Sequence, residues 1–171
     1  MKLSFSSGQT KDSVFDAVEN YLQSHHFIVT KQDRERPWGG FFVIDENQAP
    51  KFIHTYFPHL EEKELMIGNK LSPKILLVAP QKKLSWQYHH RRAEIWKLIS
   101  GTAGVITSNT DIENTPMLLN TGSIIKLKQG ERHRLIGLDE WGVVAEIWQH
   151  TDVHNPSDED DIIRLQDDFG R

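Results

Sequence analysis

The chain has 171 residues, a formal net charge of −4, 37% hydrophobic and 26% charged residues, and no cysteine. That size and balance suit one globular domain with an added arm, and they exclude wholesale disorder, disulfide staples and thiolate metal sites. No apolar run is long enough to span a bilayer, the N-terminus lacks a signal-peptide core, and no basic footprint suggests nucleic acid. A cytoplasmic protein without membrane or nucleic-acid partners is therefore expected.

Residues 13–22 have helical periodicity, with Val14, Val18, Tyr21 and Leu22 on one face and Ser13 and Asp16 at capping-box spacing. Residues 27–29 read as a short strand. Arg36-Pro37-Trp38-Gly39-Gly40 is a turn leading into an apolar strand over residues 41–44. Residues 51–70 show helical spacing of Phe52, Ile53, Tyr56, Phe57 and Leu60, interrupted at Pro58, and 61–66 suits a second short helix.

From Lys74 the texture changes. Short apolar runs recur at 74–79, 84–89, 94–99, 103–107, 117–119, 123–127, 134–138 and 143–148, separated by turn residues such as Pro80, Gly101, Gly122 and Gly130. Eight short strands at this spacing predict an antiparallel sandwich or barrel. The last stretch is acidic: residues 157–168 hold six acids against Arg164, whereas up to residue 156 there are 18 acids and 18 bases. Ser157 can cap a helix and acids favour a helix N-terminus, so a short C-terminal helix is expected, with Arg164 at helical spacing from Asp160 and Asp161.

Strand alternation sharpens the picture. If Gln87 and His89 face the interior, Leu84, Trp86 and Tyr88 face out; if Glu94 faces in, Ile95 and Ile99 face out. Such an apolar outer face needs a cover, and a helical arm over residues 1–35, a second subunit or both are expected to supply it.

The chemistry concentrates in Gln87, His89, Glu94 and the distant His133. Gln87 and His89 share a strand face, Glu94 follows across a tight turn, and His133 opens a later strand after Gly122 and Gly130. Two imidazoles, a carboxylate and an amide oxygen make a shell for one divalent ion, and such mixed N and O sets polarise oxygen or activate water. Taken singly, the remaining histidines read as structural or exposed; His90 is expected to point away from the centre. Glu146 reads equally as a hydrogen-bonded strand residue and as a general base.

Gln-x-His-x4-Glu-x6-Gly, then Gly122-x7-Gly130-x2-His133, resembles the two motifs of the cupin superfamily, with Gln87 for the usual first histidine and Lys128 for a proline. Arg36-Pro37-Trp38-Gly39, the block 84–96, Ser100-Gly101-Thr102-Ala103 and residues 159–171 together resemble the cupin domain of type II mannose-6-phosphate isomerases. This resemblance implies an all-β cupin double-stranded β-helix, or jelly-roll barrel, over residues 36–171, with an insertion near 51–70. It implies an aldose–ketose isomerase acting on a sugar phosphate, mannose 6-phosphate and fructose 6-phosphate first, through a metal-stabilised enediol. The implied metal is one divalent ion, Zn2+ before Mn2+, Fe2+, Co2+ or Ni2+, and the implied assembly a homodimer. Glu146 and Arg164 are the catalytic candidates, with a metal-bound water as an alternative base. Arg36, Trp38, Lys74 and Lys126 are the substrate-binding candidates. The resemblance has departures: the third consecutive histidine of the family is Arg91 here, and residues 149–158 lack the family's glycine-containing segment. Bifunctional members carry a preceding nucleotidyltransferase domain; with none in these residues, GDP-mannose synthesis is not expected. A free-sugar isomerase, a cupin oxygenase or a non-catalytic sugar-binding cupin are the rival readings. Activity on unphosphorylated sugar, oxygen consumption with iron, or sugar binding without metal would mark each.

Overall fold

Thr10 starts the first helix, α1 (Lys11–Ser24), its hydroxyl accepting the Ser13 N–H at 3.3 Å. The helix thus begins earlier than residue 13, and its buried face is Val14, Phe15, Val18 and Leu22, with Tyr21 only partly covered. The structure, a computed structural model, describes residues 3–6, 8–66 and 70–170. Part of the 1–35 arm (residues 1, 2 and 7), residues 67–69 of the 51–70 segment and residue 171 lie outside them.

After α1 come β1 (Val29–Asp33), β2 (Gly39–Ile44), α2 (Ala49–Tyr56), α3 (Glu62–Leu65), β3 (Lys74–Val78), β4 (Trp86–Tyr88), β5 (Arg92–Ser100), β6 (Ala103–Ser108), β7 (Met117–Leu119), β8 (Ile124–Leu127), β9 (Arg132–Gly137), β10 (Gly142–His150) and β11 (Ile163–Gln166). The eight runs predicted from Lys74 onward all appear as strands. They form two antiparallel sheets, ordered β1-β2-β3-β10-β5-β8 and β11-β4-β9-β6-β7, the arrangement of a jelly roll.

Alternation sorts the side chains into two cores. Val143, Ala145 and Ile147 of β10 and Ile95 of β5 face outward, into one cluster with Val14, Phe15, Val18 and Leu22 of α1 and Phe52, Ile53 and Tyr56 of α2. The apolar outer face is therefore covered by the chain's own helices, and each fully buried side chain there is worth roughly 1.5–3 kcal/mol. Trp86 also faces out and is covered differently: its indole donates to the Asp111 carbonyl at 2.8 Å, beneath the loop after β6. The inner cluster holds Trp38, Leu76, Trp96, Leu98, Leu135 and Val144.

Leu84 corrects the alternation reading. It packs inward with Trp38 and Leu135, because residues 83–85 precede the regular β4 ladder: Lys83 makes an isolated bridge to Ile136, and the Leu84 N–H donates to the Leu135 carbonyl at 3.0 Å. The C-terminal helix is also corrected. Asp158 Oδ1 accepts the Asp160 and Asp161 N–H groups at 3.1 and 3.0 Å, closing a turn, and Ile163 onward runs as a strand beside β4. The Asp161 carboxylate is held by the His90 and Arg91 N–H groups at 3.0 and 2.9 Å, a long-range anchor that overrides the local helical preference.

Gly101 makes the β5–β6 hairpin possible. Its φ is +75°, and a Cβ there would lie 1.9 Å from the Trp141 carbonyl oxygen. Gly101→Ala is expected to destabilise the fold by about 2–4 kcal/mol in urea unfolding; an unchanged midpoint would mean that the hairpin can shift aside.

Candidate metal and substrate site

Inside the jelly roll is a cavity of about 400 Å³, a size suited to a small polar ligand. Its wall is unusually polar for a barrel interior: Lys74, Ser85, Gln87, Arg92, Glu94 and Glu146 are all buried, and His89 and His133 lie behind them.

The fold positions these groups through register. Gln87 on β4 pairs directly with His133 on β9. Glu94 on β5 faces inward with Arg92 and Trp96, while Glu146 on β10 lies opposite both Trp96 and Lys74. His89 sits just past the end of β4. Nitrogens of His89 and His133 and a carboxylate oxygen of Glu94 all lie within 4.8 Å of one another.

Hydrogen bonding assigns the imidazole tautomers. His89 Nδ1 lies 2.6 Å from the Asp161 carbonyl and His133 Nδ1 lies 2.9 Å from the Glu131 carbonyl. A carbonyl only accepts, so each Nδ1 carries the proton and each Nε2 presents a lone pair to the centre. Those lone pairs face Glu94 at 3.2 Å (His89 to Oε1) and 3.4 Å (His133 to Oε2). Among the described residues, His133 Nε2 and Glu94 Oε2 are buried without a hydrogen-bond partner. Buried acceptors converging without donors are costly unless a cation lies among them, and carbonyl-anchored imidazoles are the usual outer support of metal-ligating histidines. Two imidazoles plus a carboxylate are the protein donor set of a catalytic-type shell. Gln87 lines the same cavity, its Oε1 accepting from the Ser85 hydroxyl at 2.5 Å.

Charge is balanced by a residue that the sequence reading did not single out. Arg92 donates from Nε to Glu94 Oε1 at 2.7 Å and from Nη2 to His89 Nε2 at 3.2 Å, and stacks on Trp148 with 3.6 Å to the ring centroid. It also ties the centre to the C-terminal segment through Ser157 Oγ and the Asp158 carbonyl. Its position two residues before Glu94, on the same strand face, was the available signal. Burial works against the Glu94 charge, but His89 when protonated and the Arg92 guanidinium outweigh it and hold the carboxyl well below its ordinary range. Burial, reinforced by Arg92 and His133, lowers the His89 pKa despite Glu94, in keeping with a neutral ligating imidazole.

Glu146 faces the cavity and is gripped by two indoles: Trp96 Nε1 donates to Oε2 at 2.9 Å and Trp148 Nε1 to Oε1 at 2.7 Å. Burial, then the Glu94 charge, push its pKa up to about 7, against the pull of Lys74, Arg92 and the Trp148 hydrogen bond. Arg36, Trp38, Lys74 and Arg164 also line the cavity. Lys126 does not: it pairs with the outward-facing Ile95, and its exposed side chain lies on the other side of the sheet. Glu159 and Asp160, read from the sequence as a solvated helix start, instead form part of the cavity wall. His90 is exposed and packs edge-on against Tyr88, away from the centre.

The family profile of the mannose-6-phosphate isomerase C-terminal domain matches residues 45–167. The chain belongs to this family. Within it, the chain is 29% identical over 175 residues to the mannose-1-phosphate guanylyltransferase ManC of Salmonella typhimurium and 27% identical over 177 residues to the alginate biosynthesis protein AlgA of Pseudomonas aeruginosa; both alignments cover 95% of this chain and 30% of the relative. The chain thus spans about a third of the length of these curated relatives. Among solved structures, hazelnut vicilin superposes with a TM-score of 0.55 at 13% identity (81% of this chain, 36% of that one), and the oxalate decarboxylase of Lactobacillus farciminis with 0.52 at 18% (79% and 33%). At these identities the likeness is one of fold: the family domain is a cupin-type jelly roll. Among the described residues, no helix is long and apolar enough to cross a membrane.

Proposed function

We propose that this domain is a metal-dependent aldose–ketose isomerase of sugar phosphates, with mannose 6-phosphate and fructose 6-phosphate as its substrate pair and zinc as the first ion to test. The observation that carries the reading is the conjunction of two features that meet at one cavity wall. One is the convergence of His89, His133 and Glu94, with His133 Nε2 and Glu94 Oε2 unpartnered among the described residues; the other is a buried carboxyl, Glu146, with its pKa near 7. Family membership supports the substrate class.

Isomerisation takes a proton from C2 of the aldose while the C1 oxygen gains one, passes through an enediol, and returns a proton to C1 as the C2 oxygen becomes the carbonyl. A divalent ion held by His89, His133, Glu94 and Gln87 would supply Lewis-acid stabilisation of the oxygen that becomes negative. The chain's own residues do the rest. Glu146 is the proton carrier: near-neutral basicity lets it both accept and return a proton at working pH. Each of its oxygens takes one indole N–H and keeps a second lone pair for the cavity, so Trp96 and Trp148 fix its orientation. Trp38, Trp96 and Trp148 limit water around the enediol. Lys74, Arg36 and Arg164 gather positive charge for the phosphate, with the arginines able to grip it bidentately. In the same proposal the protein is cytoplasmic and works as a homodimer.

The test is a coupled-enzyme assay of mannose 6-phosphate conversion by chelated and zinc-reloaded protein. Turnover is expected only after reloading. Lys74→Met is expected to raise KM for mannose 6-phosphate about tenfold or more, whereas Lys126→Ala leaves it unchanged. No conversion with any divalent ion, or equal sensitivity to the two lysine substitutions, would overturn the reading.

A further inference from the structure

Lys74 is the most enclosed of the cavity's candidate phosphate anchors. Its side chain is 6% exposed, and its ammonium lies 3.8 Å from the Trp148 ring centroid and 5.3 Å from that of Phe41. A cation so placed needs a counter-charge, and the chain supplies one from outside the barrel: Glu159 Oε1 forms an ion pair with Lys74 Nζ. The two ends of this pair differ. Lys74 is fixed in the β3 ladder, opposite Glu146 and Val43. The Glu159 side chain is 56% exposed, on the turn that crosses the cavity wall.

That turn is anchored at its other acids. The Asp158 carboxylate takes the Asp160 and Asp161 N–H groups and Arg91, while Asp161 takes the His90 and Arg91 N–H groups and the Ser157 hydroxyl. The backbone under Glu159 is therefore held while its carboxylate, on a long flexible side chain, reaches into the cavity. We infer that Glu159 is an internal competitor for the phosphate anchor: its carboxylate neutralises Lys74 in the unliganded protein, and the substrate phosphate displaces it. This rests on the sugar-phosphate reading above and adds a selectivity element to it. One anion replaces another, so Lys74 is never left uncompensated among aromatic rings. A neutral sugar offers no charge for that exchange. The movement required is a side-chain rotation of Glu159 into solvent, with no opening of the turn.

The experiment measures binding rather than turnover, by calorimetry with mannose 6-phosphate, inorganic phosphate and mannose on the zinc-loaded chain. Glu159→Gln is expected to tighten mannose 6-phosphate and inorganic phosphate by about threefold to fivefold, the range of a partly exposed ion pair, and to leave mannose unchanged. Asp160→Asn, which removes a charge from the same wall without touching Lys74, should change phosphate binding by less than about twofold. In a Lys74→Met background, adding Glu159→Gln should give no gain. Equal or weaker phosphate binding in Glu159→Gln, an equal gain in Asp160→Asn, a gain that survives loss of Lys74, or no binding of either phosphate ligand would each overturn the inference. If the affinity shifts appear while no fructose 6-phosphate forms, the competitor stands and the isomerase reading falls. If turnover occurs while the affinities stay unshifted, the isomerase reading stands and the competitor falls.

Discussion

Glu94→Ala is expected to strip the centre of its metal, lower turnover about a thousandfold and destabilise the metal-free protein at the same time. Among the described residues Glu94 is the one anionic donor between the two imidazoles, and its Oε2 has no hydrogen-bond partner there. Without it a divalent ion keeps two nitrogens and an amide oxygen, and none of its charge is offset. Lewis-acid stabilisation is worth several kcal/mol of barrier, so its loss removes about three orders of magnitude from kcat. The stability effect has a separate origin. Arg92 is buried against Glu94 Oε1 at 2.7 Å, and removing one partner of a buried pair exposes the full desolvation cost of the other. Ser157 and the Asp158 carbonyl still accept from Arg92, so a loss of about 2–4 kcal/mol in urea unfolding under EDTA is expected, at the lower end for such a pair. Elemental analysis, turnover and unfolding read three consequences of one substitution. A variant that keeps stoichiometric zinc and wild-type kcat would sink the assigned centre.

Much of this site was legible because β-structure converts spacing into direction. The interval of two from Gln87 to His89 and the strand that carries Glu94 are enough to point these side chains into one interior, and Gly122 and Gly130 mark the turns that return His133 to it. The same logic places Ile95 on the opposite face. It failed where strand regularity ends. Leu84 lies just outside the β4 ladder, so counting back from Gln87 assigned it to the wrong side. The acidic segment misled for a different reason. Ser157 with the following acids has the local chemistry of a helix start, but the Asp161 carboxylate is captured by backbone N–H groups 70 and 71 residues away in sequence. No local pattern contains that contact. It turns the segment into a wall of the cavity, brings the Asp161 carbonyl to His89 and sends Arg164 into a strand beside Gln87. Lys126 looked useful only as an unassigned cation; its register against Ile95 removes it.

Glu146→Gln separates catalysis from architecture, because the two chains differ by one ionisable group of nearly the same shape. As the proton carrier, Glu146 is expected to contribute about 10²–10⁴-fold, so kcat should fall by that factor while the metal content stays at wild-type level. A residue that only fills space between Trp96 and Trp148 would lose far less. Stability supplies an independent signature in the metal-free protein. The folded carboxyl titrates near 7 against an ordinary value of 4.5. Between those pH values the unfolded chain releases a proton that the folded chain retains, so the folded state binds more protons and wild-type stability falls as pH rises from about 4.5 to about 7. Above about 7 both states are ionised and the difference is constant. Glutamine cannot titrate, so the variant should gain stability relative to wild type across that window, by on the order of 1–3 kcal/mol. A pH-independent offset is also expected: the glutamine amide nitrogen cannot accept from the second indole, leaving one buried N–H unpaired. That offset cancels when the difference at pH 5 is subtracted from the difference at pH 8. In the zinc-loaded enzyme the nearby cation favours the carboxylate, so the acid limb of the wild-type rate profile should lie at or below about pH 7 and be missing from the variant. Parallel stability curves for the two proteins, or a rate profile with an unchanged acid limb, would take the proton-carrying role away from Glu146.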